Sequence, residues 1–272
     1  MSDLLAPPLT PLHALASTLL AQGYAVLDAS SVFQGLSERS SFDSNVTHIQ
    51  KGLSRFLSSW SDLPPDAYLK DGGRYRRRRH NCFVVSDQGV ALQPHRPHWQ
   101  PLAYNALHGG MQRLFEPMSP ALIQDATWQQ LLVWLGGVAS DLRGTQPWYA
   151  EAHQFRIDTT DGIGRPTPEG AHRDGVDLVA VFMIDRVGIK GGETRVFDAH
   201  SPHGQRFTLT QPWSVLLLDD ARVIHETTPI QPSQAGSPAH RDTLVVTMRS
   251  GGFQGEEAAN QSRPQQHLQP RP

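Results

Sequence analysis

After about residue 150 the chain changes texture, and that change most limits what it can fold into. Segments rich in Val, Ile, Leu, Phe and Thr follow one another at 153–158, 177–185, 192–198, 206–210, 214–219, 223–228 and 242–249, with turn residues between them. Many short strands at this spacing predict a sandwich or barrel. The earlier part reads differently. Leu12, Leu15, Leu19 and Leu20 recur at helical spacing over 11–22 before Gly23, and 23–28 reads as a first strand. Further helices are expected at 42–60, 101–115 and 121–142, punctuated by Pro64, Pro65, Pro117 and Pro120. The organisation predicted is one unit over 1–252, helix-rich to about 150 and β-rich over 150–252. The Gln- and Pro-rich stretch 253–272 reads as a disordered tail. The fold class is therefore mainly β with helical additions.

Composition narrows the function classes. Net charge is −2 and the isoelectric point is near 6.7, so nothing global draws the chain to nucleic acid or an anionic membrane. The longest apolar runs, 178–184 and 215–218, fall far short of the roughly 18 residues of a spanning helix. The opening MSDLLAPPLTPL lacks a basic stretch followed by an apolar core, and Cys82, the only cysteine, excludes an internal disulfide and a cysteine-rich zinc site. A cytoplasmic protein is expected; oligomeric state is left open.

Chemistry enters at His172, Asp174 and His225. In an extended segment, residues two apart point to one side, so His172 and Asp174 project together and Arg173 turns away. His225 follows 53 residues later, beyond four expected strands, a distance over which a closed β-core can return to the same place. Two imidazoles and one carboxylate on one face leave three positions of an octahedron open, the facial arrangement of non-haem iron(II) oxygenases. Two open positions suit a chelating 2-oxo acid and the third suits O2. His-x-Asp arises readily by chance in a chain with 13 histidines, so the reading needs independent support.

That support lies 16 residues after His225, in RDTLVVTMR. Alternation places Arg241, Thr243 and Val245 on one face of a strand. A guanidinium fork and a hydroxyl two residues apart make a carboxylate clamp, which the distal carboxylate of 2-oxoglutarate needs.

Taken together, AHRDGVDLVAVFMIDRVGIKGGETRVF, LLLDDARVIHETTPI and HRDTLVVTMR closely resemble the bacterial 2-oxoglutarate/Fe(II) dioxygenase family that includes free L-isoleucine hydroxylases. The resemblance is strongest over about 150–250 and extends more weakly to GRYRRRRHNCFVV at 73–85. It implies a double-stranded β-helix (cupin-like jelly roll) core. It also implies hydroxylation of an aliphatic C–H of a small substrate, often a free L-amino acid, with release of succinate and CO2. The cofactors implied are Fe(II), 2-oxoglutarate as cosubstrate, and O2. Carried over, His172, Asp174 and His225 look like the metal ligands and Arg241 like the cosubstrate anchor. Competing readings are the same chemistry on a peptide or specialised metabolite, and a non-catalytic cupin-like metal-binding sensor, against which the clamp argues.

Other residues carry weaker expectations. If the basic run 76–79 is extended, Arg76 and Arg78 share one face and Arg77 and Arg79 the other. The readings are solvated surface, a substrate-carboxylate site at Arg76 and Arg78, or, least favoured, nucleic-acid binding. Arg156, on a polar face with Gln154 and Asp158, is a candidate for cosubstrate or substrate contact. Glu193 or Thr194 is a candidate for the pocket wall. Asp219 and Asp220 are expected to organise the turn that aims His225. His153, His200 and His203 have no assigned role, and His240 is expected to be structural.

Overall fold

The computed structural model describes residues 4–39 and 45–256. Helices come first. A 3₁₀ turn at Leu12–Ala14 leads into α1 (Leu15–Gln22), which ends at Gly23 in the left-handed conformation. A Cβ there would lie 2.8 Å from Val223. Strand β1 (Tyr24–Leu27) follows, then α2 (Ala29–Glu38) and α3 (Val46–Phe56), N-capped by Asp28 and Asn45. Strands β2 (Arg76–Ser86) and β3 (Gly89–Leu92) precede the short α4 (Pro120–Ile123) and the long α5 (Ala126–Arg143), capped by Asp125. The rest is β: β4 (Trp148–Asp158), β5 (Leu178–Val187), β6 (Ile189–Gly191), β7 (Thr194–Asp198), β8 (Gly204–Phe207), β9 (Val215–Asp219), β10 (Val223–Thr227), β11 (Ile230–Pro232) and β12 (His240–Arg249).

These strands form antiparallel sheets. The large one has the order β1-β9-β5-β12-β4-β2-β3, and the smaller ones are β10-β7-β8 and β11-β6. Alternation along β12 divides the core. Leu244, Val246 and Met248 face the helices and pack with Ala150, Ala152, Phe182, Trp128, Leu131, Trp134 and Leu135. Behind the other face, Val179, Met183, Leu216 and Leu218 of the large sheet pack with Val196, Phe207 and Val223 of the small one. Helices cover one face of the large sheet, and the small sheet covers part of the other.

Several expectations are corrected. No regular element forms over 101–115; the segment is a series of turns in which Pro101 leads into Gly109 and Gly110. Helix α2 and strands β3, β6 and β11 have no counterpart among the expected elements, and β2 runs well beyond the alternation considered at 76–79. The strand expected at 23–28 forms as β1, and before residue 150 β2 and β3 also join the large sheet. The expected tail begins with packed residues: Phe253 is buried, and Gln254 donates to the carbonyls of Asp174 and Gly175 at 2.9 Å each. Residues 257–272 of that expectation, and 42–44 of the expected helix 42–60, lie outside the described residues. Among the described residues no helix is long and apolar enough to cross a membrane.

Candidate metal centre and its cavity

The His-x-Asp segment meets β10 directly. His172 and His225 exchange backbone hydrogen bonds of 3.0 and 2.9 Å, which brings the two imidazoles together across 53 residues of chain. Their ring centroids are 4.6 Å apart. His172 Nε2 lies 3.9 Å from Asp174 Oδ1, and His225 Nε2 lies 3.7 Å from Asp174 Oδ2. One ligand atom from each residue falls within 4.8 Å of the others. The Nδ1–H of His172 donates to the Gly170 carbonyl at 2.9 Å, which leaves Nε2 its lone pair. Burial, then the neighbouring His172, pushes His225 down to about 3, so its imidazole is neutral and able to donate. Burial also raises the Asp174 carboxyl, a cost that a cation bound there would offset.

Asp220 fixes the turn that carries Asp174. Its carboxylate accepts the backbone N–H groups of Asp174, Gly175 and Val176 at 2.9, 2.7 and 3.1 Å, and its carbonyl accepts Arg173 Nε at 2.8 Å. Gly175 is left-handed, and a Cβ on it would meet the Tyr104 ring at 2.5 Å. Asp220 thus aims Asp174 rather than His225, which differs from the sequence expectation. Asp219 instead pairs with Arg143. Gln100 donates to Asp174 Oδ1 at 3.1 Å and accepts from Arg113 and Asn105 through Oε1.

A cavity of about 130 Å³ opens beside these three residues. Arg241, Thr243, Val245 and Thr247 of β12 line it, all from one strand face. Arg241 and Thr243 are 4% and 2% exposed, and Arg241 Nε has no partner among the described residues. Burial, then Arg186, pushes its guanidinium down to about 10, still charged at neutral pH. A buried, unpaired guanidinium beside a hydroxyl is costly unless an anion completes it. Two imidazoles, one carboxylate and this orphaned clamp fit Fe(II) and a dicarboxylic 2-oxo acid.

The registers decide the other candidates. Arg241, Thr243 and Val245 lie opposite Ile157, Phe155 and His153 of β4, which lie opposite Arg76, Arg78 and His80 of β2. Arg76 and Arg78 therefore line the cavity, with Arg76 Nε 2.7 Å from buried Asp66. The Arg78 guanidinium sits between the Phe115 and Phe155 rings, 3.8 and 4.3 Å from their centroids. Arg77 and Arg79 turn outward to Asp158 and Glu116. Arg156 is a correction: it lies on the opposite face, where Nε and Nη2 bind Asp242 at 2.8 and 2.6 Å. Thr194 is buried opposite Thr227, and Thr227 rather than Thr194 lines the cavity. The Glu193 side chain pairs with Arg195. His240 lies on the Arg156 side, 3.4 Å from Asp185.

Sequence reasoning missed several cavity residues. Gln100, Arg113 and Glu169 come from irregular segments without periodicity. His98, Glu151 and His153 form a buried cluster with His80 against the same cavity. The inward face of β4 was the available signal, had its register with β12 been known.

Comparisons with known proteins identify the family and similar folds. A family model described as 2OG-Fe dioxygenase matches residues 57–247. The crystal structure of a bsmA homolog from Methylobium petroleophilum is 51% identical, covering 92% of this chain and 97% of that one with a TM-score of 0.82. IDO from Bacillus thuringiensis is 17% identical over 87% and 98% of the two chains, with a TM-score of 0.67. The Fe(II)/(alpha)ketoglutarate-dependent dioxygenase TqaL is 18% identical over 88% and 86%, with a TM-score of 0.66. A search of curated proteins found no match. The antiparallel sheets with added helices are consistent with a jelly-roll-like oxygenase fold.

Proposed function

The chain belongs to the 2OG-Fe dioxygenase family, which uses Fe(II), 2-oxoglutarate and O2, and on that premise we propose that it hydroxylates an aliphatic C–H of a free L-amino acid. His172, Asp174 and His225 hold the metal, Arg241 and Thr243 hold the distal carboxylate of 2-oxoglutarate, and the core is a double-stranded β-helix. A cytoplasmic setting is part of the same reading.

One observation carries the substrate class. Arg241 and Arg76 lie in the same row of the sheet, each opposite Ile157, so their backbones are two strands or roughly 10 Å apart. The cavity thus has a second guanidinium site besides the cosubstrate clamp. Within it, Arg76 Nη2, Arg78 Nε and Arg113 Nε are buried without partners among the described residues. A substrate carboxylate bound there completes those donors and fixes one end of the molecule. Val176, Val181 and Val245 supply apolar wall in the same cavity, suited to an aliphatic side chain.

The bound metal supplies the O2-activating chemistry that makes an unactivated C–H reactive, with succinate and CO2 as coproducts. The chain's own residues do the rest. Arg76, Arg78 and Arg113 orient the substrate by its carboxylate, and the apolar wall keeps water from the reacting carbon. Gln100 holds Asp174, and Gly170 fixes the tautomer of His172. The experiment is succinate release with Fe(II) and 2-oxoglutarate over the free L-amino acids, with product mass. A single amino acid that stimulates release and gains one oxygen atom is expected. Stimulation by none of them ends the amino-acid reading.

A further inference from the structure

Glu151 stands outside the proposed machinery, yet three histidines are spent on it. His80 Nε2 is 3.0 Å from Glu151 Oε2, His98 Nδ1 is 2.6 Å away and His153 Nε2 is 3.8 Å away. All four residues are buried. Arg78 Nη2 donates to His153 Nδ1 at 2.7 Å, which places that ring's remaining proton on Nε2, facing Glu151. Burial lowers all three imidazoles, His98 to about 4, so they are neutral donors at neutral pH. Burial opposes the Glu151 charge, but His98 and His80 outweigh it and hold the carboxyl well below its ordinary range.

Two chemistries can use a carboxylate caged in this way. A second divalent cation would need lone pairs where the rings present N–H groups, and the His153 tautomer set by Arg78 opposes it. A protonated amine needs only an acceptor. Every imidazole contact falls on Oε2, and no hydrogen bond among the described residues falls on Oε1, although Glu151 lines the cavity. Charge balance points the same way. Arg76, Arg78, Arg113 and Arg241 line the cavity, and they are matched in number by Glu151, Glu169 and Asp174 of its wall and Asp66 behind Arg76. Fe(II) and 2-oxoglutarate, equal and opposite in charge, leave that balance unchanged. A net-neutral ligand with separated poles suits such a cavity better than a simple anion.

We infer that Glu151, held by His80, His98 and His153, is the binding site for the substrate's ammonium group, on the same sheet face as Arg76 and Arg78, which take its carboxylate. The inference rests on the amino-acid reading for the identity of the amine, but not for the site's preference for one. The test has two arms on full-length protein loaded with Fe(II) and 2-oxoglutarate.

In the first arm, any amino acid that stimulates succinate release is compared with its desamino and N-acetyl analogues. The free amino acid is expected to win by about tenfold or more in kcat/KM, and Glu151→Gln to raise its KM by about tenfold with the KM for 2-oxoglutarate unchanged. In the second arm, under nitrogen, Tm is measured with n-butylamine and with n-butanol. The amine is expected to raise Tm and the alcohol not, and Glu151→Gln to abolish the difference. The wild-type comparison of amine with alcohol needs no variant, so it stands even if Glu151→Gln misfolds.

A Tm rise with amine and no stimulation by any amino acid would sink the amino-acid reading and leave the ammonium site standing. Equal responses to amine and alcohol, or turnover indifferent to the amino group, overturn the site. A second equivalent of bound metal that Glu151→Gln removes overturns it too, and makes the cluster a metal centre.

Discussion

Arg241 is a buried side chain whose charge costs the fold stability unless an anion completes it. The residue is 4% exposed and its Nε has no partner among the described residues, so the folded chain carries a desolvation cost that the carboxylate of 2-oxoglutarate would offset in the proposed site. Arg241→Met should raise the KM for 2-oxoglutarate by about 10–100-fold, the equivalent of about 1.5–3 kcal/mol for a charge-assisted contact. Without 2-oxoglutarate the variant should be no less stable than wild type, because the unpaired charge is gone. Succinate kinetics and Tm measured without cosubstrate check both halves; a clearly lower Tm would contradict the account. Asp220 acts through others. It holds three consecutive amides of the Asp174 turn, and Asp220→Ala leaves them without an acceptor. Fe(II) affinity should fall about 10–100-fold, read by metal titration, while the KM for 2-oxoglutarate at saturating iron changes little. At this scale the sequence was informative where function follows a strand's two-residue period. His172 with Asp174, Arg241 with Thr243, and Arg76 with Arg78 each share a face, and the structure sets all six against one cavity. Arg156 failed the same test because alternation says which residues share a face, not which face is inside. Gln100, Arg113 and Glu169 lie on irregular chain, where no period exists to read.

Elements were legible in proportion to their local signals. The strands expected after 150 form close to their expected places because turn residues bound them on both sides, whereas the three-residue β6 and β11 carry too short a pattern to read. The alternation at 76–79 did not show that strand β2 continues to Ser86, and its inward arginines are accommodated by Asp66, Phe115 and Phe155. The expected helix 101–115 failed because Asn105 caps turns with its side chain, and a Cβ at Gly109 would collide with the Leu102 backbone at 2.6 Å. Helix α3 carries a testable consequence. Gly52 faces Thr127 at the start of α5, and a Cβ there would fall 2.0 Å from Thr127 Oγ1 and 2.7 Å from its Cβ. In an open helix, Ala would be favoured over Gly by about 1 kcal/mol. Here overpacking against a β-branched side chain dominates, so Gly52→Ala should destabilise by about 1–3 kcal/mol, a drop of several degrees in Tm. Because Gly52 does not line the cavity, KM values should hold; an unchanged or higher Tm would mean that α3 and α5 separate easily.

The whole molecule carries a pH dependence written into its cavity wall. His80, His98 and His153 are buried around Glu151, with Arg78 and Arg113 close by, and burial lowers all three, His98 to about 4 from 6.5. As pH falls through about 6.5 the unfolded chain takes up protons on these rings, whereas the folded chain takes them up only at lower pH, His98 at about 4. The unfolded state therefore binds more protons across that window. Stability is full above it, declines through it as pH falls, and for these groups levels off below it. Glu151 and Asp66 have lowered carboxyls, and their contribution is lost only at still lower pH. For His98 alone the loss is of order 3 kcal/mol, large against the roughly 5–15 kcal/mol of a typical domain. Urea midpoints at about pH 7.5 and about pH 5 should differ markedly, before ordinary carboxylates titrate. His98→Gln removes one of the rings and should bring the two midpoints closer together. His172 and His225 remain in both proteins, so any narrowing belongs to the cluster. If wild type and His98→Gln lose stability in parallel, the cluster is not what makes the fold sensitive to acid.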